Sequence, residues 1–443
     1  MEVTSAIATF VIPTALLRTI IQRLQLAPHA FVHGTLGLSR TESGWRLLAR
    51  SVESMADSEW MPRRRLDRPS FEIGFAPNNV TQPEAWETVD WAIRFDYGSQ
   101  GPPVCRIHLG IAEERGQFTG AFLLHNESMP LRTMHVVGAG MARFEAGKVQ
   151  GSSTTLGPYE ARRWSRLVGA MGGATIWRRL TDLSIAVVGV GRTGSIVAAS
   201  LTRSGCHALT LIDPDRLEPH NCDAMDLVTP MDCGRFKVEV VAERLMEVNE
   251  SARPLAVPES VFSRRAYEAL KQADVIVCAV DAPAPRLATG ALAASYLKPW
   301  LDLGTGVFRE GQQAIGHSGS HGVARIQMGA DIRLVLPADG CVLCWGGLDA
   351  APQGLREWEQ EAGQVDWQRQ RAGSFRSLNM FAVATGLRWL EELIMGRLTE
   401  SQWQRVEINE RGLADWRMMS PRRDPACLLC AQIGDGDAGT GLL

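Results

Sequence analysis

The sequence predicts an α/β chain of two units, with a smaller α+β unit followed by a parallel sheet flanked by crossover helices. Three observations predict it. From residue 162 onward, short apolar strands alternate with helices; a glycine-rich turn closes the first of those strands; and 443 residues exceed what one typical core encloses. Hydrophobic residues at 45% and charged ones at 21% make an ordinary balance for a folded globular chain.

The first unit is expected over residues 1–150. An amphipathic helix runs from about Pro13 to Leu26, and strand-like runs follow at Ala30–Leu38, Trp45–Val52, Trp91–Phe95, Val104–Leu109, Thr119–Leu124 and Thr133–Val137. None of these ends in a phosphate loop. Gly147–Pro158 is rich in Gly, Ser and Thr, which bury little surface, and suits a linker. In the second unit, residues 159–433, Ser184–Val190 reads as a buried strand, Thr193–Ser204 as a helix and Ala208–Ile212 as a second strand. Lys237–Val248 is then helical, Asp274–Val280 and Pro299–Asp302 are strands, and Ser377–Met395 is a core helix. Residues 434–443 read as a flexible tail.

A formal charge of −3 gives no electrostatic footprint for nucleic acid, and the basic run Pro62–Arg65 reads as a solvated turn. The N-terminal MEVTSAIATFVIP lacks the positive region of a signal peptide, and no apolar run is long enough to span a bilayer. A cytoplasmic protein without a membrane partner is expected. Four of the nine cysteines form two CxxC pairs, Cys341/Cys344 and Cys427/Cys430. Without a secretory signal such pairs read as a closed tetrathiolate site for structural Zn2+.

The segment IAVVGVGRTGS sets Gly189, Gly191 and Gly194 between an apolar strand and the mouth of a helix. Glycines permit the turn and let backbone amides reach phosphate oxygens at the positive helix end, so a nucleotide belongs there. Asp213 and Asp215 end the next strand, where a carboxylate can hold ribose hydroxyls. On these residues alone, NAD and ATP are equally admissible.

The runs that follow, DPDRLEPHN, GRFKVEVVAERL and VIVCAVDAP, together resemble the ThiF/MoeB superfamily, which includes the ubiquitin-activating enzymes. Upstream, RRWSRLVGAMGGATIWRRLTDLSIAVVG is similar to that family's R-Y-x-R-Q helix before its first strand, so the resemblance covers roughly Arg162 to Cys430. It implies a Rossmann-like adenylation domain that uses ATP and Mg2+ to activate the C-terminal carboxylate of a ubiquitin-like protein. By the same resemblance Gly189, Gly191 and Gly194 cradle ATP, Asp213 or Asp215 holds the ribose, Asn221 and Lys237 approach the phosphates, and Asp281 organises Mg2+. Arg166 matches an arginine that reaches into a partner subunit's site, which implies a homodimer. A bacterial ubiquitin-like conjugation system, including one in antiphage defence, fits the layout, with a conjugating-type carrier enzyme as a further partner. The alternatives are an activator of a sulfur-carrier protein, a non-catalytic adaptor that binds a ubiquitin-like protein, and a dinucleotide-dependent oxidoreductase.

The chain departs from the family pattern in two places. Where N-x-x-R-Q is usual it has Asn221 to Met225 with Ala224 at the arginine position, so that either Arg192 in the loop or Arg166 compensates or the enzyme is slow or inactive. No cysteine lies in Trp345–Ser374, where a thioester nucleophile is usual, which leaves Cys222 and Cys233 as candidates near the phosphates. The first unit faintly resembles the JAB/MPN fold in FVHGTLGLSR, TGAFLLHN and HVVGAGMARFE, but no H-x-H occurs anywhere, and His33, His108, His125 and His135 stand alone. An inactive docking or dimerisation unit is expected.

Overall fold

A computed structural model describes residues 7–26, 31–41, 44–56, 70–75, 90–96, 104–108, 118–119, 121–124, 127–145, 156–309, 326–337, 339–346, 375–408, 414–421 and 423–438. Most of the expected linker and of the stretch Trp345–Ser374 lies outside them, as does His125.

The first unit is one sheet with a helix. Its strands are β1 (Ile7–Pro13), β2 (Phe31–Thr41), β3 (Gly44–Ala56), β4 (Ser70–Phe75), β5 (Asp90–Asp96), β6 (Val104–His108), β7 (Phe118–Thr119), β8 (Ala121–Leu124), β9 (Glu127–Val137) and β10 (Ala142–Glu145). They are ordered β10-β9-β1-β3-β2-β4-β5-β6-β7, with β8 paired to β9. β1 lies parallel to both β3 and β9 and runs directly into the helix Thr14–Leu26. Phe10, Val11 and Ile12 are consecutive and all buried, so β1 is covered on both faces. A strand of that kind shows no apolar–polar alternation, which is why the sequence displays a helix there and not the strand before it.

The second unit contains β11 (Ser184–Val188), β12 (Ala208–Ile212), β13 (Leu255–Val257), β14 (Val275–Cys278), β15 (Trp300–Arg309), β16 (Ile326–Val335), β17 (Gln402–Ile408) and β18 (Ala414–Met418). The sheet order is β13-β12-β11-β14-β15-β16-β17-β18. β13 to β15 pair in parallel, and β16 to β18 extend the sheet by antiparallel pairing. This is a Rossmann-like α/β sheet whose order reverses between β11 and β14. A crevice opens at the carboxyl ends of strands where the order reverses, here after Val188 and Cys278. Ile185 to Val188 and Val275 to Cys278 are all buried, as strands covered by helices on both faces must be.

The two units share apolar packing, since Val11, Leu48 and Val137 join the cluster formed by Val188, Ile276 and Trp300. Polar contacts fix the seam. Arg46 donates to the carbonyls of Lys271 (2.8 Å) and Gln272 (3.2 Å), and buried Lys298 donates to those of Lys271 (2.9 Å) and Ala273. Both cations thus serve the carboxyl end of helix Arg264–Gln272, where carbonyls lack helical partners. His135 of β9 lies 3.6 Å from Asp274, next to β14.

The expected flexible tail is corrected for residues 434–438. Gly434 and Gly436 donate backbone N–H groups to Ala294 and Ser295, Asp437 donates to Leu38, and the Asp435 carboxylate meets Arg50 at 2.9 Å. Asp437 also accepts from Tyr296 and pairs with Lys271. The segment is wedged between both units, where Asp435 pairs with Arg50 and Asp437 adds a second carboxylate to buried Lys271, which also has Glu268 at 3.8 Å.

Candidate nucleotide site and cysteine cluster

The turn after β11 is built by close backbone approach. Gly189 has φ +84, and a Cβ there would meet the Ala279 carbonyl oxygen at 2.8 Å. A Cβ on Gly194 would lie 1.8 Å from the Gly189 carbonyl oxygen, so the helix Arg192–Arg203 can begin this close to the turn only with glycine at that position. A Cβ on Gly191 would meet nothing within 4 Å and faces open space.

Asp213, at the end of β12, is buried and ties the turn down: one carboxylate oxygen accepts from Val190 N (2.7 Å) and the other from Asp215 N (2.9 Å). Burial raises its pKa above the usual carboxylate range, partly offset by the charge of Lys237 and by those two hydrogen bonds. Asp215 is exposed and pairs with Lys237 Nζ at 2.7 Å, while Lys237 itself is buried at the start of its helix. Asn221 is buried, with its carbonyl oxygen accepting from Glu218 N at 2.9 Å in the short turn Pro219–Asn221. Arg192 bends to Asp223 (2.9 Å) and to the His220 carbonyl (2.8 Å). Asp281 is exposed just past β14, following Ala279 and Val280, which pack against Gly189 of the turn.

The glycine turn, Asp213, Asp215, Asn221, Lys237 and Arg192 are therefore linked through β12 and the loop after it. Arg166 is not part of that group. It is exposed on helix Ser165–Met171 and has no ion-pair partner among the described residues. Cys222 and Cys233 are half-buried in the same loop. Burial, the Cys233 thiol and the carboxylates of Asp232 and Asp223 all raise the Cys222 pKa, opposite to what an activated thiol requires. Cys278 is sealed in β14 with its pKa pushed up to about 12 by burial, as a core residue.

Two arginines that no motif marks also belong to this region. Arg286, on the helix that follows Asp281, donates to the Val280 carbonyl (2.8 Å) and to Asp302 (2.9 Å), whose other oxygen takes Arg333 (2.8 Å). Asp302 is wholly buried, and the two guanidiniums satisfy it from both sides. The turn carrying Asp281 is thereby pinned. Its only trace in the sequence is an arginine five residues after that aspartate. Arg376 approaches the loop from a helix far along the chain, and nothing local announces it.

The cysteine cluster lies beside helix Pro283–Ser295. Sγ of Cys341 is 3.5 Å from Cys427, Cys344 is 3.5 Å from Cys430, and all four sulfurs lie within 4.8 Å of one another. A disulfide would need about 2.05 Å, whereas zinc at about 2.3 Å from each thiolate spaces tetrahedral sulfurs by about 3.8 Å. The donor set fits zinc. Asp424 N–H points at Cys344 Sγ (3.4 Å), an outer contact that orients a ligand. No helix among the described residues is long and apolar enough to cross a membrane.

Residues 164–329 match the ThiF family. That match spans the glycine turn and the strands β11 to β15. A Drosophila willistoni protein named adenylyltransferase and sulfurtransferase MOCS3 is 30% identical over 144 residues, covering 32% of this chain and 31% of its own length. Ubiquitin-like modifier-activating enzyme 5 of Aedes aegypti is 36% identical over 119 residues, 26% of this chain and 28% of its own. The sulfur carrier protein adenylyltransferase of Thermus thermophilus is 27% identical over 252 residues, 57% of this chain and 83% of its own. The first two matches thus span less than a third of those relatives, and the ThiF domain is the part of this chain that the likeness describes.

Proposed function

We propose that the chain is an adenylating enzyme that joins AMP from ATP to the C-terminal carboxylate of a ubiquitin-like protein. The observation that carries this reading is Lys237: a buried ammonium delivered by a helix to the mouth of the glycine turn, where polyphosphate needs a fixed cation. The names of the relatives, adenylyltransferases and a ubiquitin-like modifier-activating enzyme, support it.

In this reading the turn amides at Gly189 to Gly194, Arg192, Asn221 and Lys237 take the phosphates, and Asp213 or Asp215 takes the ribose. The attacking carboxylate adds to the α-phosphorus, the bond to the β-phosphate oxygen breaks, and pyrophosphate leaves with charge met by Lys237 and Arg192. Asp281 is an exposed carboxylate just past the residues that pack against the glycine turn, which suits Mg2+, an ion held by few protein ligands together with phosphate oxygens. Magnesium supplies charge neutralisation at the phosphates when bound. Arg166, exposed and without an ion-pair partner among the described residues, is available to a second copy of the chain, and a homodimer completed in this way is part of the proposal. A conjugating-type carrier enzyme, a role in antiphage defence and a docking role for the N-terminal sheet belong to the same reading. The cysteine cluster takes Zn2+ as a structural clasp.

The test is ATP–pyrophosphate exchange with candidate ubiquitin-like and sulfur-carrier proteins, with Lys237→Met and Asp281→Ala alongside. Partner-dependent exchange that falls about a hundredfold or more in either variant is expected. ATP binding without exchange would leave a ubiquitin-like-binding adaptor, the reading favoured by Ala224 and the unfavourable setting of Cys222. Reduction of NAD would overturn both.

A further inference from the structure

We propose that Arg376 is a further phosphate-binding cation of the nucleotide site, held in reserve by Asp226; this deepens the adenylation reading and rests on it. Arg376 opens the helix Arg376–Ile394. Its Nη1 donates to the Ala224 carbonyl at 2.6 Å, and its Nη2 pairs with the Asp226 carboxylate. The side chain is 40% exposed, so its guanidinium is fixed in direction by two partners on a side chain that is not sealed from solvent.

The segment it grips wraps the first turn of the glycine-loop helix. Asp226 N donates to Ser195 Oγ at 2.9 Å, and Asp223 holds Arg192 at 2.9 Å. Arg192 and Arg376 therefore flank one short stretch, residues 223–226, laid against the positive end of that helix. Lys237 with Asp215 makes a third pair beside the same turn. Each cation is kept by a carboxylate of the loop, which avoids unpaired like charges around a helix end that is itself positive. A polyphosphate competes with those carboxylates, since it brings several anionic oxygens to cations already gathered on Asp215 and on residues 223–226. On binding, Arg376 exchanges the Asp226 oxygen for a β- or γ-phosphate oxygen. No covalent bond changes in this step.

Isothermal titration of the full chain with ATP, ADP and AMP in the presence of Mg2+ tests the proposal. Arg376→Ala is expected to weaken ATP by about 10- to 100-fold, the worth of a charge-assisted hydrogen bond, and to leave AMP within about twofold. Arg388→Ala, an exposed arginine later on the same helix, should change neither ligand. Asp226→Asn gives a gain that structural damage cannot mimic: freeing Arg376 should tighten ATP by a few-fold without affecting AMP. Equal losses for ATP and AMP in Arg376→Ala, or unchanged ATP affinity in both variants, would overturn the role of Arg376 while wild-type ATP binding keeps the adenylation reading intact. If the wild-type chain binds no ATP, that reading falls and this proposal falls with it.

Discussion

His135 is sealed between the two units, and its ring shows what a buried titratable group costs. Burial holds its pKa down at about 3, with Arg143, Arg46 and Lys298 opposing a proton and only Asp274 favouring one. An unfolded histidine takes a proton near pH 6.5. Between pH 6.5 and 3 the unfolded chain therefore binds a proton that the folded chain refuses, and stability falls as the pH falls. At pH 5 the loss is about 2 kcal/mol, taking about 1.4 kcal/mol per pH unit. The urea midpoint should be lower at pH 5 than at pH 7.5, and the difference should shrink in His135→Gln; an equal difference in the variant would assign the effect to other groups. Nε2 of His135 has no hydrogen-bond partner among the described residues, in keeping with a ring that stays neutral.

At the scale of the element, the β11–turn–helix unit separates glycines that shape the fold from one that leaves room for a ligand. Gly194→Ala drives a methyl into the Gly189 carbonyl and should cost about 2 kcal/mol or more in urea denaturation. Gly191→Ala meets nothing, at an ordinary φ of −86, and should unfold like the wild type. ATP affinity should nonetheless drop in both, and a Gly191→Ala chain that binds ATP normally would place the phosphates elsewhere. This element was legible in the sequence because everything that makes it is local: an apolar run, glycines at fixed spacing, a helix. The CxxC pairs were legible for the same reason, each half being four residues of chain. Arg376 was not, since its partner Ala224 stands 152 residues away and its own neighbourhood reads as plain amphipathic helix. Nor was β1, whose doubly buried face erases the alternation that marks a strand. In the sequence Ala224 marks a missing cation, and only the fold shows a different arginine lying on its carbonyl.

At the scale of the whole molecule, the cysteine cluster and the wedge at 434–438 act as one device. Cys427 and Cys430 fix the chain immediately before Gly434, so whatever fixes the sulfurs also fixes Asp435 and Asp437 against Arg50 and Lys271. Purified protein should contain about one zinc per chain, the number that four thiolates hold. Chelation, or Cys341→Ser, should expose the segment after Arg423 to protease and lower the melting temperature, with the N-terminal sheet loosening in the same transition. Full zinc loss with an unchanged proteolytic pattern would separate the clasp from the seam.

That wedge also sets an order in time. The N-terminal strands leave the ribosome first, yet Arg40 N is bonded to Asp437, 397 residues later. At about 5–20 residues per second, β2 waits roughly 20–80 s for its final neighbour to be made. Until then Arg50 lacks Asp435, Lys271 has Glu268 at 3.8 Å but not Asp437 at 2.8 Å, and the surface that the wedge will cover faces the cell. A chain interrupted before residue 437 thus lacks the carboxylate that Arg40 N and the Tyr296 hydroxyl share, and such a product offers quality control an uncovered stretch of the seam.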